Sequence, residues 1–357
     1  MSLPPALVAY GWDDGWQDAF APHAARGLSP ARVILEHTHI YTVAAERGET
    51  LGRVSGRFRH VAQERHDFPA VGDWVACRFE ELTGRALIHA VLPRRSHFSR
   101  KMAGLTTDAQ VVAANIDTIF IVTGCDRDFN LRRIERYLVL TWESGASPVI
   151  LLNKADQAPD AEEKREQTEA LARGVPLYLT SAKTGAGLDQ LAVHLQRGRT
   201  VALLGSSGVG KSSIINRLIG RDLLRTAEVR ESDSRGRHTT RQRQLVLLPD
   251  GAMVIDTPGM RELQLWDVGE GVGETFDDIE ALAASCRFRD CGHVSEPGCA
   301  VREAVDRGDL PRERLENYLK LQAERRHVED KQEEKRRAKI MGRAINRMQR
   351  NGKLPKE

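Results

Sequence analysis

Nine residues constrain this chain more than any others: Gly205, Ser206, Ser207, Gly208, Val209, Gly210, Lys211, Ser212 and Ser213, between an apolar run at 200–204 and an amphipathic run at 213–218. Strand, glycine-rich turn and helix in direct succession leave a row of backbone N–H groups at a helix N-terminus, an arrangement that cradles phosphates. The spacing G-x-x-x-x-G-K-S adds the Lys211 ammonium, placed to reach β- and γ-phosphates, and the Ser212 hydroxyl, placed to ligate Mg²⁺. Such a loop sits at the carboxyl end of a buried strand, so it commits the surrounding chain to an α/β fold.

The rest of residues 106–273 fits that commitment. Apolar strands are expected at 116–123, 148–152, 175–180, 200–204, 245–248 and 253–255, with helices at 130–143, 161–172, 188–195 and 211–218. Alternation of this kind gives a mostly parallel sheet with ligands gathered at the strand ends. Three short motifs fall at those ends: Asn153-Lys154-Ala155-Asp156, Ser181-Ala182-Lys183 and Asp256-Thr257-Pro258-Gly259. The first two resemble the guanine-reading elements of GTPases. The Asp156 carboxylate can accept hydrogen bonds from the N1–H and amine of guanine, which adenine does not offer. The resemblance implies that Asn153 and the Ala182 N–H favour the guanine O6, while the stems of Lys154 and Lys183 pack on the ring faces. In the third motif, Asp256 would hold Mg²⁺ through water and the Gly259 N–H would meet the γ-phosphate.

Between the glycine loop and Asp256 lies Ser234-Arg-Gly-Arg-His238-Thr239-Thr240-Arg241. One threonine here is expected to complete the Mg²⁺ shell, Thr240 in preference to Thr239. The residue after Gly259 is Met260, whose thioether cannot orient an attacking water. His238 is therefore the expected catalytic group, with simple contact to RNA or solvent as the alternative, and intrinsic hydrolysis is expected to be weak. The motif order is itself informative. GTPases ordinarily run glycine loop, threonine, D-x-x-G, N-K-x-D, S-A-K, whereas here the last two come first, so the domain resembles a circular permutation in which the same sheet is assembled from moved chain ends.

Upstream, residues 32–105 hold short β-rich bursts at 32–34, 39–44, 53–58, 73–79 and 86–91, as expected of a small β-barrel, OB-fold or SH3-like. Downstream, Cys286, Cys291, His293 and Cys299 supply three thiolates and an imidazole within a short span, enough for a closed tetrahedral structural site, zinc in preference to iron. Cys77 and Cys125 sit in apolar runs and read as core residues. A charged helical appendage follows. From Lys331 to Glu357 there are ten Lys or Arg against three Glu, a formal +7 within a whole-chain charge of +3, so residues 1–330 carry a formal −4. A uniformly basic coat is excluded, and any polyanion contact is concentrated in patches and the tail. With aromatics at 5%, phosphate and shape contacts are expected to outweigh base stacking. No run approaches a membrane span, the start lacks a signal-peptide pattern, and nothing marks an oligomer; a cytoplasmic monomer without membrane contact is expected.

Taken together, N-K-A-D, S-A-K-T-G, G-S-S-G-V-G-K-S-S, G-R-H-T-T, D-T-P-G and C-x₄-C-x-H-x₅-C, with P-A-V-G-D-W-V at 69–75, resemble the ribosome small-subunit-dependent, RsgA-like GTPases over nearly the whole chain. That resemblance implies an N-terminal extension at 1–31, an OB-fold β-barrel at 32–105, a circularly permuted α/β P-loop GTPase domain at 106–273, and an α-helical zinc-binding domain with basic tail at 274–357. It implies GTP and GDP as ligands with Mg²⁺, one structural Zn²⁺, and binding to the 30S ribosomal subunit through 16S rRNA late in its maturation, with hydrolysis stimulated by the subunit. The chain departs from the pattern at Arg241, where a third threonine is common. Two other readings are a permuted GTPase of the large subunit, against which the barrel and the Cys/His cluster argue, and an RNA-binding scaffold that holds GTP with negligible turnover, for which Met260 argues.

Overall fold

The computed structural model describes residues 3–37, 40–62, 64–101, 109–220, 243–256 and 271–350. Two compact units emerge, one from residues 1–100 and 108–263, the other from 101–107 and 264–357.

The first unit opens with helices α1 (Pro5–Val8) and α2 (Asp14–Ala24), the latter capped by Asp13, whose Oδ1 accepts from the Trp16 N–H at 2.9 Å. They set Leu7, Trp12, Trp16 and Phe20 against Trp74 and Leu92. Trp12 meets Trp74 edge to face with centroids 4.7 Å apart. The N-terminal segment is thus an apolar cover for the barrel.

The barrel is built from β1 (Ser29–His37), β2 (Ile40–Ala45), β3 (Gly48–Val54), β4 (Trp74–Phe79) and β5 (Ala86–Val91). Antiparallel pairs β1–β2, β2–β3, β4–β5 and β1–β4, closed by a parallel β3–β5 pair, give the five-stranded order of an OB-fold and leave no SH3-like alternative. Ala31, Val33, Tyr41, Val43, Val54, Val75, Cys77 and Ile88 fill it. Two expectations shift. β1 begins at Ser29 rather than Arg32, so the barrel starts inside the expected extension. The strand expected over 53–58 stops at Val54, because Ser55 Oγ accepts from the Phe58 N–H at 3.1 Å and caps helix α3 (Gly56–Val61). After α3, Asp73 is wholly buried and bound bidentately by Arg94, at 2.8 and 2.7 Å. Gly72, at φ +94°, admits no side chain: a Cβ there would lie 2.0 Å from the Ala114 carbonyl oxygen.

A two-stranded ribbon, β6 (His97–Lys101) with β7 (Ala109–Ala114), leads to β8 (Thr118–Gly124), α4 (Leu131–Glu143), β9 (Ser147–Asn153), α5 (Ala161–Leu171), β10 (Leu177–Leu179), β11 (Thr200–Leu204), α6 (Lys211–Ile219), β12 (Arg243–Leu247) and β13 (Met253–Asp256). The sheet runs β10-β9-β8-β11-β13-β12, parallel except for β12. The helix expected at 188–195 is a 3₁₀ segment, Asp189–His194. Phe120, Val122, Leu151, Leu203, Ile214 and Ile215 anchor the core between sheet and helices. Cys77 and Cys125 are buried as expected, and burial pushes their thiols up to about 12 and about 11.

Barrel and α/β sheet are continuous, because β12 also pairs with β1, giving one eleven-stranded sheet. Arg32 of β1, 2% exposed, stitches the junction. It donates to the carbonyls of Tyr10, Gly72 and Asn115, to Thr200 Oγ1 at 2.8 Å and to Met253 Sδ at 3.3 Å. Burial lowers its guanidinium to about 10, so it stays charged at neutral pH.

The second unit holds α7 (Gly271–Thr275), α8 (Asp277–Ala283), α9 (Ala300–Arg307) and the 39-residue α10 (Arg312–Arg350). α7 spans the boundary expected at 273. Phe276, Ile279, Val301, Ala304, Tyr318 and Leu321 are buried. Arg314 grips Asp278 through Nε and Nη2 at 2.8 and 2.9 Å, and Tyr318 donates to Glu280 Oε1 at 2.8 Å. Leu321 is the last buried residue among those described, so the charged remainder of α10 stands outside this core.

Replacing Arg32 with Met keeps much of the volume and strands three oxygen acceptors, the carbonyls of Tyr10 and Asn115 and Thr200 Oγ1, while the Gly72 carbonyl keeps its bond from Asn115 Nδ2. Urea titration should show a loss of about 3–5 kcal/mol; an unchanged midpoint would show that Arg32 does not hold the junction.

Candidate functional site

The glycine loop occupies the turn from β11 to α6, as its sequence requires. Gly210, at φ +101°, caps α6, and a Cβ there would lie 2.3 Å from Asn153 Nδ2. Val209 is buried, which fixes the loop from below, while Ser207 and Gly208 face solvent. Lys211 Nζ donates to the carbonyls of Gly205 and Ser206 at 2.6 and 2.5 Å, so its charge lies within the loop's concavity. Ser212 and Ser213 follow in the first turn of α6, partly exposed. Loop, N-terminal helix end and ammonium together make a receptor for a polyphosphate.

The N-K-x-D and S-A-K motifs converge on this loop from β9 and β10. Asn153, 1% exposed, spends its amide inside the protein. Its Nδ2 donates to the Val209 carbonyl at 2.7 Å, and its Oδ1 accepts from the Ala182 N–H at 2.9 Å. The expectation that Asn153 and the Ala182 N–H both favour the guanine O6 meets a different arrangement here, in which they bond each other and tie three loops together. Lys154 takes a left-handed backbone, φ +64°, and its Nζ pairs with Asp126 at 2.7 Å. Ala155 donates its N–H to the Thr180 carbonyl at 3.1 Å. Asp156 is exposed, and hydrogen bonding by the buried Ser181 hydroxyl holds its carboxyl below the usual range, ready to accept. Lys183, two residues after Ser181, is exposed.

Some neighbours carry no sequence signal. Arg133 of α4 donates to Ser206 Oγ at 2.6 Å and Asp128 Oδ1 at 2.8 Å, bracing the glycine loop from the side. Arg217 of α6 donates to the carbonyls of Ala182 and Lys183 at 3.2 and 2.5 Å. Asp256 ends β13 next to β11, which brings its backbone to the same sheet edge. His238, Thr239, Thr240 and Gly259 lie outside the described residues.

In the second unit, Cys286, Cys291, His293 and Cys299 place their ligand atoms all within 4.8 Å of one another. Separations are 3.9 Å for Cys286 Sγ–Cys299 Sγ, 3.6 Å for Cys286 Sγ–His293 Nδ1 and 3.4 Å for His293 Nδ1–Cys299 Sγ. Tetrahedral bonds of about 2.3 Å to sulfur imply edges of about 3.8 Å, so a single metal ion fits the centre. Glu296, unsignalled by the motif, accepts from the N–H groups of Gly292, Val294 and Ser295 at 3.0, 2.9 and 3.0 Å. Backbone donors, its own first, hold its carboxyl down to about 2. It thereby shapes the loop that presents His293, itself at φ +56°.

An α/β sheet with a phosphate loop, base-reading loops that precede it in the chain, a barrel and a Cys₃His cluster define a circularly permuted P-loop GTPase. Comparison with known proteins agrees. The RsgA GTPase family model matches residues 91–266. The small ribosomal subunit biogenesis GTPase RsgA of Opitutus terrae is 51% identical over 331 residues, covering 90% of each chain. The crystal structures of YjeQ from Thermotoga maritima and of YloQ, described as a circularly permuted GTPase, are 30% and 25% identical, with TM-scores of 0.63 and 0.59. They cover 82% and 85% of this chain, and 97% and 96% of their own. The chain belongs to the RsgA GTPase family and is a GTP hydrolase. Among the described residues no helix is long and apolar enough to cross a membrane.

Metal analysis of the purified chain should find one ion bound by this cluster. Cys299→Ala should remove it and render the second unit protease-sensitive while GDP binding persists; full metal content in that variant would contradict the assignment.

Proposed function

We propose that this GTPase acts in the maturation of the small ribosomal subunit, binding the 30S particle through 16S rRNA in the cytoplasm and leaving after hydrolysis. The observation that carries this reading is the 51% identity, across nine-tenths of both chains, to a protein named for small ribosomal subunit biogenesis. The basic tail after Lys331 and the basic residues of the barrel, Arg53, Arg57, Arg59 and Arg65, suit phosphate contacts to RNA.

In this reading GTP lies along the glycine loop. The N–H groups of residues 206–213 and Lys211 neutralise the phosphates, and Asp156 reads guanine. Asn153, which positions the loops, and the Ala182 N–H lie toward the guanine O6, and Lys154 and Lys183 flank the ring. Ser212, Asp256 and Thr240 would hold Mg²⁺, which when bound neutralises charge developing on the phosphates. Gly259 would meet the γ-phosphate and His238 would orient the attacking water. The Cys₃His cluster would take zinc, from its thiolate-rich donor set, as a closed structural site. The chain works as a monomer in which extension, barrel and GTPase domain act as one compact unit and the metal-binding helical domain as a second.

Single-turnover hydrolysis of GTP with and without purified 30S subunits tests this. The expected result is acceleration of at least about tenfold by 30S and not by 50S subunits; no stimulation by 30S would overturn it.

A further inference from the structure

β12 has two unlike neighbours, β13 of the nucleotide-binding sheet and β1 of the barrel. Gln244 lies opposite Asp256 on one side and opposite Leu35 on the other, so the backbone of Asp256 and the barrel share one row of the sheet. In sequence, β12 begins three residues after Thr240. Among the described residues the β1–β12 register comprises the pairs Leu35 with Gln244 and Glu36 with Arg243. A side-chain clasp closes it: Arg243 Nη1 donates to Glu36 Oε2 at 2.8 Å, with the two side chains 10% and 22% exposed. So sheltered, the pair is weakly screened by solvent and salt.

The same barrel strand grips the sheet a second time, where Arg32 meets Thr200 of β11 and Met253 of β13. β11 ends in the phosphate loop and β13 in Asp256, so one strand of the barrel contacts all three strands that lead into the hydrolysis machinery. The base-reading loops, by contrast, leave β9 and β10 at the other side of the sheet.

We propose that the Glu36–Arg243 ion pair is a positioning pair for GTP hydrolysis, registering β12 against the barrel so that Asp256, opposite Gln244, is held where turnover requires it. Nucleotide binding rests on the glycine, N-K-x-D and S-A-K loops and does not need the pair. Without Glu36, the Arg243 guanidinium loses its charge partner in a buried site, and β12 frays at its first residue to reach water. That loosens the row opposite Asp256. Strain or contact at the barrel reaches the hydrolysis step by the same route. The inference rests on the Mg²⁺ role proposed for Asp256.

The test compares Glu36→Gln, Arg243→Gln and Arg243→Lys in the full-length chain, measuring single-turnover hydrolysis, GDP affinity and thermal midpoint, with Asp256→Asn as reference. Both Gln variants should lose about tenfold in turnover with GDP affinity changed by no more than about twofold, and Arg243→Lys should recover to within about threefold. Unchanged turnover in Glu36→Gln, or a loss of GDP affinity equal to the loss of turnover, would overturn the proposal. If Asp256→Asn itself retains full turnover, the Mg²⁺ assignment falls and the proposal with it. If Asp256→Asn is inactive and Glu36→Gln is not, only the role of the pair is overturned.

Discussion

The structure depends on one strand serving two neighbours. β12 completes the nucleotide-binding sheet by pairing with β13, and its other edge is paired by β1 of the barrel. An edge strand left open would present unpaired backbone groups, which proteins cover or blunt; here the barrel is the cover. Arg32 then fixes the junction from within, a buried cation whose bonded partners are neutral acceptors on the N-terminal segment, the barrel and two sheet strands. Barrel and GTPase sheet therefore behave as a single compact unit even though their sequences read as separate modules.

Permutation is harmless to the site for a related reason. The N-K-x-D, S-A-K and glycine loops leave β9, β10 and β11, which are brought together with β8 and β13 by parallel pairing, and the order in which the chain visits them does not enter the geometry. What does enter is the bonding between loops. Asn153 joins the glycine loop to the S-A-K loop, and Arg217 joins the S-A-K loop to α6. These links set the concavity in which Lys211 and the backbone N–H groups converge.

Legibility in the sequence followed the range of the interaction. The glycine loop, the strand-end motifs and the Cys₃His cluster were readable because their chemistry is local: a few residues at fixed spacing determine both the backbone and the donor atoms. The same holds for α6 and β11, whose patterns match the observed spans closely. The strand expected over 53–58 failed because a single local bond, from the Phe58 N–H to Ser55 Oγ, outweighs a segment whose apolar residues are Val54 and Phe58 alone. Arg133 against Ser206, Glu36 against Arg243 and Arg32 against Thr200 were not readable at all, since partners dozens to hundreds of residues apart leave no mark on spacing. Asn153 lay between: its motif was legible, but its amide is committed to protein partners that only the assembled loops reveal.

The central claim is that these converging loops form a guanine-specific nucleotide site in a permuted sheet. Its most direct test is equilibrium binding of GDP and ADP to the wild-type chain and to Asp156→Asn. The account predicts discrimination against ADP on the order of a hundredfold or more in the wild type, and its collapse in the variant through loss of GDP affinity. Comparable affinity for the two nucleotides in the wild-type chain, or discrimination that survives Asp156→Asn intact, would contradict it.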